Sequence, residues 1–436
     1  MKQTMNVTKA GTTAMCFCLI QATAIAGEPP AIEPAPEPTN DGDWCTWLSE
    51  KPGIFYKNSD NPWIQEFGLG GRFHWNAAYI QGNDINGYGF SDTHTEVRRF
   101  RLEPKLKFLN FFEAYASINM VDDATNRIAP WPGGRKLGWG YETFDQAHLT
   151  FDAKKAFSID SVDGFKIKYG RLKHEITHEA WTSSKKLLTV ERSAISNKVF
   201  GSALPTGFSF NVVKGDWDFW ASIYSTDAIT QFGGNTEFIG GWGDGLAYRT
   251  SVGYQATEDL SLRWDFIYND ADGKGGDDSL FRYKWVTSLS AVYDQDQWGL
   301  ITDMIYGDNG GRNNGVLRQN RQGDFWGLVL MPYYWIVDDK LQGVVRYYYQ
   351  GSQNAAGIRV YSRYARADHG PVVNTGINGG RGNEHHSIYA GVNYYLCGQN
   401  VKLQTGLEYE WLNTPGAGID GEFSALTYWF GFRSYF

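Results

Sequence analysis

From Ile64 onward the chain alternates apolar and polar residues with a period of two. Val401, Leu403, Thr405, Leu407, Tyr409 and Trp411 fall on one face of a strand, and Lys402, Gln404, Gly406, Glu408 and Glu410 on the other. Leu260, Leu262, Trp264, Phe266 and Tyr268 oppose Ser261, Arg263, Asp265 and Asn269 in the same way. Successive side chains of an extended backbone point to opposite faces, so the pattern predicts strands with one apolar and one polar side. The final run carries Tyr428, Phe430, Phe432 and Phe436 on one face. Such an edge in a soluble sheet invites pairing with other chains. A barrel closed within a bilayer pairs it with the first strand and turns its aromatics to lipid.

The connections separate a barrel from a sandwich. Tight links fall near Leu109-Asn110, Lys214-Gly215-Asp216, Glu258-Asp259, Gln295-Asp296, Asp338-Asp339 and Gly398-Gln399-Asn400. Between them lie long polar stretches at 122–142, 174–204, 227–245, 271–281, 308–322 and 351–385. Sorting short turns to one end and long loops to the other is the habit of outer-membrane barrels. The predicted fold is therefore all-β: a transmembrane antiparallel β-barrel over residues 64–436, with about 16 strands of the length a bilayer requires. The last of them fall at 386–397, 401–412 and 423–436. Aromatic clusters at Tyr333-Tyr334-Trp335 and Tyr347-Tyr348-Tyr349 suit interfacial girdles.

The beginning of the chain reads differently. Lys2 and Lys9 precede an uncharged stretch ending in Ala24-Ile25-Ala26, so residues 1–26 are expected to be a cleaved secretory leader. Its apolar run falls short of the ~20 residues a spanning helix needs. Residues 27–63 follow as a periplasmic segment, proline-rich from Glu28 to Pro38. Mean hydropathy of -0.42 excludes a bundle of membrane helices. A net charge of -8 argues against a nucleic-acid partner, and no pattern calls for a cofactor. Cys45 and Cys397 are the cysteines outside the leader, and the topology puts both on one side of the membrane. A disulfide and two free thiols both remain open, because pairing depends on how closely the Cα atoms approach.

Candidate chemistry belongs in the lumen. The stretch 174–204 is long yet not glycine-rich, and holds Trp181, Leu187, Leu188, Val190 and Ile195. Such residues are expected to pack against a wall, which folds the segment inward as a constriction loop. Lys166, Lys168, Arg171, Lys173, Lys185, Lys186, Arg192 and Lys198 outnumber Glu175, Glu179 and Glu191 around it. A second basic stripe, Arg99, Arg101, Glu103, Lys105 and Lys107, lies opposite Phe100, Leu102, Leu106 and Phe108 and so points into the lumen. Basic rings in a narrow passage select anions, and arginine matches phosphate through its bidentate fork. The competing account is that these cations pair with carboxylates across the wall.

Gly71-Arg72-Phe73-His74-Trp75-Asn76-Ala77-Ala78-Tyr79, Glu96-Val97-Arg98-Arg99-Phe100-Arg101-Leu102 and Tyr169-Gly170-Arg171-Leu172-Lys173 resemble the phosphate-selective porin O/P family, as do Thr182-Ser183-Ser184-Lys185-Lys186 and Glu191-Arg192-Ser193. The likeness runs from about residue 64 to the end. It implies a homotrimer of barrels in the bacterial outer membrane, each surrounded by lipid, with an inward loop passing phosphate or other small anions. On that reading the chain is an outer-membrane porin for passive diffusion and not an enzyme. The anion-binding constriction would comprise Arg99, Arg101, Lys166, Lys168, Lys185, Lys186 and Arg192. The rival is a general or sugar-conducting porin in which lumen aromatics such as Trp220 and Tyr224 stack on sugar rings. Other candidates are weaker. Asn269-Asp270-Ala271-Asp272-Gly273 with Asp277 and Asp278 lacks the spacing of a calcium loop. His385-His386 reads as loop-borne and without ligand spacing. The run Gly240–Gly245 lacks the setting of a dinucleotide fingerprint. His94, His148, His174 and His178 nominate no nucleophile.

Overall fold

The computed structural model describes residues 44–50, 53–84, 86–121, 139–200, 204–226, 242, 245–270, 280–310, 321–360, 381–413 and 421–436. The leader, the proline-rich stretch, the run Gly240–Gly245 apart from Trp242 and Gly245, and the aspartates Asp272, Asp277 and Asp278 lie outside these residues. The alternating segments form one antiparallel sheet of 17 strands. The short β1 (Ile54–Lys57) pairs with β2 near its start. The barrel follows as β2 (Ile64–Asn83), β3 (Gly89–Phe108), β4 (Phe112–Val121), β5 (Trp139–Asp152), β6 (Gly164–Arg171), β7 (Thr206–Lys214), β8 (Trp217–Ser225) and β9 (Leu246–Gln255). It continues as β10 (Leu260–Asn269), β11 (Trp285–Asp294), β12 (Trp298–Asp308), β13 (Asp324–Val337), β14 (Leu341–Ser352), β15 (Glu384–Cys397), β16 (Val401–Asn413) and β17 (Glu422–Tyr435). These last are the 16 strands of a closed barrel.

Closure is made by the final aromatic run. β17 pairs with β2 from Ser424 opposite Asn83 to Tyr435 opposite Arg72. The main chains of Phe436 and Gly71 then exchange two hydrogen bonds, of 3.1 and 3.2 Å. In lipid every backbone polar group needs such a partner, and a closed ladder supplies it without an edge. No helix among the described residues is long and apolar enough to cross a membrane; the strands make the crossing. Leu289, Met304, Leu407, Tyr409 and Tyr428 are exposed on the outer face, whereas Asp265, Asn269, Lys402, Gln404 and Glu410 are buried inside. The alternation read from β10 and β16 therefore has its apolar side outward and its polar side in the lumen.

Much of the long stretches expected at one end, 122–142, 227–245, 271–281, 308–322 and 351–385, lies outside the described residues. At the other end the turns are tight, and left-handed backbone at Leu109 and Asn110 (φ 51° and 63°) reverses the chain between β3 and β4. One link at this end was not legible in the pattern: between β5 and β6 a short helix, α2 (Ala153–Phe157), is capped by Asp152, which accepts from Lys155 N at 3.1 Å. At the same end α1 (Trp44–Glu50) lies against β15 and is joined to it by a disulfide between Cys45 and Cys397, with Cα atoms 4.9 Å apart. His385 and His386 stand on β15, not in a loop. The strand begins earlier than its apolar pattern because His385 is an inward residue held by Glu410 (3.0 Å) and Gln350 (2.8 Å). Polar inward positions look like loop when the outward face starts late.

Candidate pore constriction

The connection from β6 to β7 folds into the barrel. Its backbone polar groups need partners there, and the wall's polar side chains provide them. It carries two short helices, α3 (His178–Trp181) and α4 (Ala194–Phe200). Thr177 N donates to Asp265 of β10 at 3.3 Å and His178 N to Asp303 of β12 at 2.7 Å. Farther along, Arg72 of β2 donates to Ser184 (2.8 Å), Lys402 and Gln404 of β16 to the Leu187 carbonyl (2.8 and 3.0 Å), and Asn393 of β15 to the Leu188 carbonyl (2.9 Å). Arg433 of β17 donates to the Val190 carbonyl at 2.8 Å. Leu187, Val190 and Ile195 are buried, as their apolar character led us to expect.

One cation makes several further ties at once. Arg346 of β14, fully enclosed, donates to Glu179 (3.1 Å), Thr189 (2.9 Å), the Glu191 carbonyl (2.7 Å) and Glu408 of β16 (3.2 Å). Glu179 also takes the Ser193 N–H (2.9 Å) and the Ser193 hydroxyl. These anchors come from β10, β12, β14 to β17 and β2, so a passage fits against the remaining wall, from β4 to β8. Trp181 faces that wall, its ring meeting that of Trp220 of β8 at 5.5 Å, Lys185 stays on the anchored side toward β3, and Lys186 is exposed.

A β-bulge shapes the charge on the other side of the loop. His74 pairs with Arg99 but Trp75 with Val97, so Arg98 is an extra residue in β3. The inward parity changes there: His94, Glu96 and Arg98 are buried before it, and Arg99, Arg101 and Glu103 after it. Two consecutive arginines thus share one face. Arg98 binds Glu191 of the loop at 2.6 Å. Arg99, among the described residues, has no carboxylate within ion-pair distance. Period-two reading finds Arg99 and Arg101 but misses Arg98, because it assumes unbroken parity.

The other sequence candidates sort into paired and unpaired cations. Arg101 meets Asp145 at 2.7 Å, which Lys173 also meets at 3.0 Å. Lys185 binds Glu103 at 2.8 Å, alongside Arg72, and lies 4.9 Å from the Tyr435 ring. Burial lowers the Lys185 pKa, and the Glu103 charge opposes the shift. His178, enclosed by the loop, is held down to about 4 by burial and is neutral. Arg192 serves the loop itself, donating to the carbonyls of Glu179 (2.6 Å) and Thr182 (2.9 Å). Lys168 lies 5.3 Å from the Trp220 ring, while Lys166 and Lys186 are exposed. None of these three has a salt bridge among the described residues. Tyr224 is completely buried and cannot stack on a passing solute; Trp220 is half-buried and faces the passage. Among the described residues no group of side chains could hold a metal.

The family model described as "Phosphate-selective porin O and P" matches residues 67–310. No curated protein matches the sequence. Among solved structures, the outer membrane channel DcaP of Acinetobacter baumannii is similar at 11% identity, covering 88% of this chain and 100% of that one, with a TM-score of 0.53. A loop L8 deletion mutant of OmpT, an outer membrane protein of Vibrio cholerae, is similar at 11% identity over 85% of this chain and 99% of that one, with a TM-score of 0.50. At such identities the likeness speaks for the fold, which is that of outer-membrane channels. The family match spans the bulged strand, the constriction loop and the wall facing it. This chain is an outer-membrane porin, a passive channel and not an enzyme, and it belongs to the phosphate-selective porin O and P family.

Proposed function

We propose that the pore prefers small anions, phosphate among them, and that the preference arises where the constriction loop narrows the lumen. The observation that supports this is the imbalance of pairing. Glu103, Asp145, Glu191 and Asp218 each face a cation, and Glu103 and Asp145 face two. Among the described residues Arg99, Lys168 and Lys186 have no salt bridge to offset their charge. The carboxylates near the opening are thereby neutralised while cations are left over. In a low-dielectric passage this excess favours anions, although the protein as a whole is acidic. Arg101 and Lys185 act as partners of carboxylates and Arg192 as a strut of the loop, so selectivity rests mainly on Arg99, Lys168 and Lys186. Assembly as a homotrimer belongs to the same proposal, with native mass spectrometry in detergent as its check.

The test is the zero-current potential of the purified protein in a planar bilayer under a salt gradient, followed by phosphate block of the chloride current. The expected potential has the sign of anion preference. Arg99→Ser and Lys186→Glu are expected to reduce it, and Lys186→Glu with Lys185→Glu to reduce it further. A cation-preferring or unselective wild-type channel would overturn the proposal and leave a general or sugar-conducting porin.

A further inference from the structure

Two tryptophans stand in the passage where a water-filled channel has little use for them, and both are held in place. Trp181, on the loop edge, donates its indole N–H to Asp265 of β10 at 3.1 Å. Trp220, on β8, donates its own to Asp218 at 2.9 Å. The rings meet edge to face with centroids 5.5 Å apart. Cations lie over both rings: Arg263 4.0 Å and Arg249 4.6 Å from the Trp181 centroid, and Lys168 5.3 Å and Arg249 5.9 Å from that of Trp220. Arg263 also binds Asp218 at 2.7 Å, so the carboxylate orienting Trp220 is neutralised from within the cluster.

Mere packing explains this poorly. Trp181 shares Asp265 with the loop's anchor at Thr177, but Trp220 and Lys168 stand on the wall itself and are only half-buried. An aromatic face in a polar lumen is the informative exception. Over the Trp220 ring stands Lys168, whose ammonium has no carboxylate partner among the described residues. A flat apolar surface next to an unpaired cation is complementary to one kind of solute: a small organic anion whose charged group sits on a planar ring. The ring gains contact with fixed indoles at little ordering cost, and the charge meets the ammonium.

We propose that the Trp181–Trp220 pair with Lys168 is a binding subsite for ring-bearing organic anions within the constriction. The proposal rests on the anion preference argued above and narrows it to a solute class. It sets this passage apart from one that handles inorganic anions by charge alone.

The experiment compares anions with the same headgroup. Chloride current through single channels is titrated with benzenesulfonate and, separately, with methanesulfonate, with neutral glucose as a third arm. Benzenesulfonate is expected to half-block at a concentration about fivefold lower than methanesulfonate, the scale of one aromatic contact. Glucose is expected to be inert at the same concentrations. Trp220→Ala should bring the ratio near one, whereas Trp220→Phe should retain most of it, with the heat-modifiable gel band confirming folding of each. Equal half-block by both sulfonates in the wild type would overturn the subsite while leaving anion preference standing. So would an unchanged ratio in a folded Trp220→Ala channel. Block by glucose at matching concentrations would overturn it in favour of a sugar site. Loss of anion preference in the zero-current potential is a separate failure, of the preceding proposal.

Discussion

Arg346 is the residue whose loss should separate the loop from the barrel most cleanly. Arg346→Met keeps most of the side-chain volume and removes the donors that reach Glu179, Thr189, the Glu191 carbonyl and Glu408. Removing one partner of a buried ion pair costs ~3–5 kcal/mol because the other charge is left uncompensated. Here Glu179 keeps the Ser193 N–H at 2.9 Å, and Glu408 keeps the Ser387 hydroxyl at 2.7 Å and the Trp429 indole at 3.0 Å. The lower end of that range applies, about 3 kcal/mol. At 1.4 kcal/mol per decade this raises the ratio of detached to seated loop by about a hundredfold. The barrel should survive, since the ladders joining β14 to β13 and β15 are formed by backbone groups. Single-channel recording should show larger and noisier open currents, and protease added to the purified trimer or monomer should cut within residues 174–204. Glu179→Gln in the Arg346→Met background should quieten the channel partly by removing the stranded charge. A quiet channel of wild-type conductance, with a protected loop, would show that Arg346 does not hold the constriction.

Other expectations concern the base of the loop, its charge and its tether. At Gly170 the backbone has φ +137°, and an added Cβ would lie 2.3 Å from the Ala147 carbonyl of β5. Gly170→Ala should therefore lower the temperature at which the folded gel band disappears. Because burial lowers the Lys185 pKa, anion preference should begin to fall as pH rises at values below the ordinary lysine range. The same titration of Lys185→Gln should lack that step; an identical profile would refute the assignment. Reduction of the Cys45–Cys397 bond, or Cys45→Ser, should reduce heat stability without changing conductance, and peptide mapping under non-reducing conditions should recover the linked pair. Disulfides spanning long segments typically contribute ~2–4 kcal/mol.

Most of the architecture was legible because a barrel writes itself locally. Each strand repeats an apolar outward face, and each tight turn interrupts it, so β10, β16 and β17 could be read without knowing their neighbours. The inward loop was legible for the same reason: Leu187, Val190 and Ile195 are apolar where a solvated loop needs nothing apolar. What escaped was set by partners distant in sequence. Arg101 and Arg99 look equivalent in the stripe, yet Asp145 pairs with one and not with the other. Arg192 looks like a lumen cation, but the turn of the loop brings the Glu179 and Thr182 carbonyls to it. Arg98 was hidden by a bulge that shows only in the pairing of β3 with β2. Arg346, the central anchor, stood in a strand whose pattern gave it no distinction from any inward polar residue.

The covalent tie between α1 and β15 bears on how the barrel assembles. Cys45 stands shortly before the first barrel strand and Cys397 shortly before the last two, 352 residues apart in the chain. Bringing such remote segments together is the slow, entropically opposed step for a sheet whose seam joins its two ends. A bond made in an oxidising compartment before closure converts that search into an encounter between neighbours at high effective concentration. The seam between β2 and β17 would then be the first long-range pairing to become available rather than the last. A protein whose extremities must meet would carry its own staple for doing so.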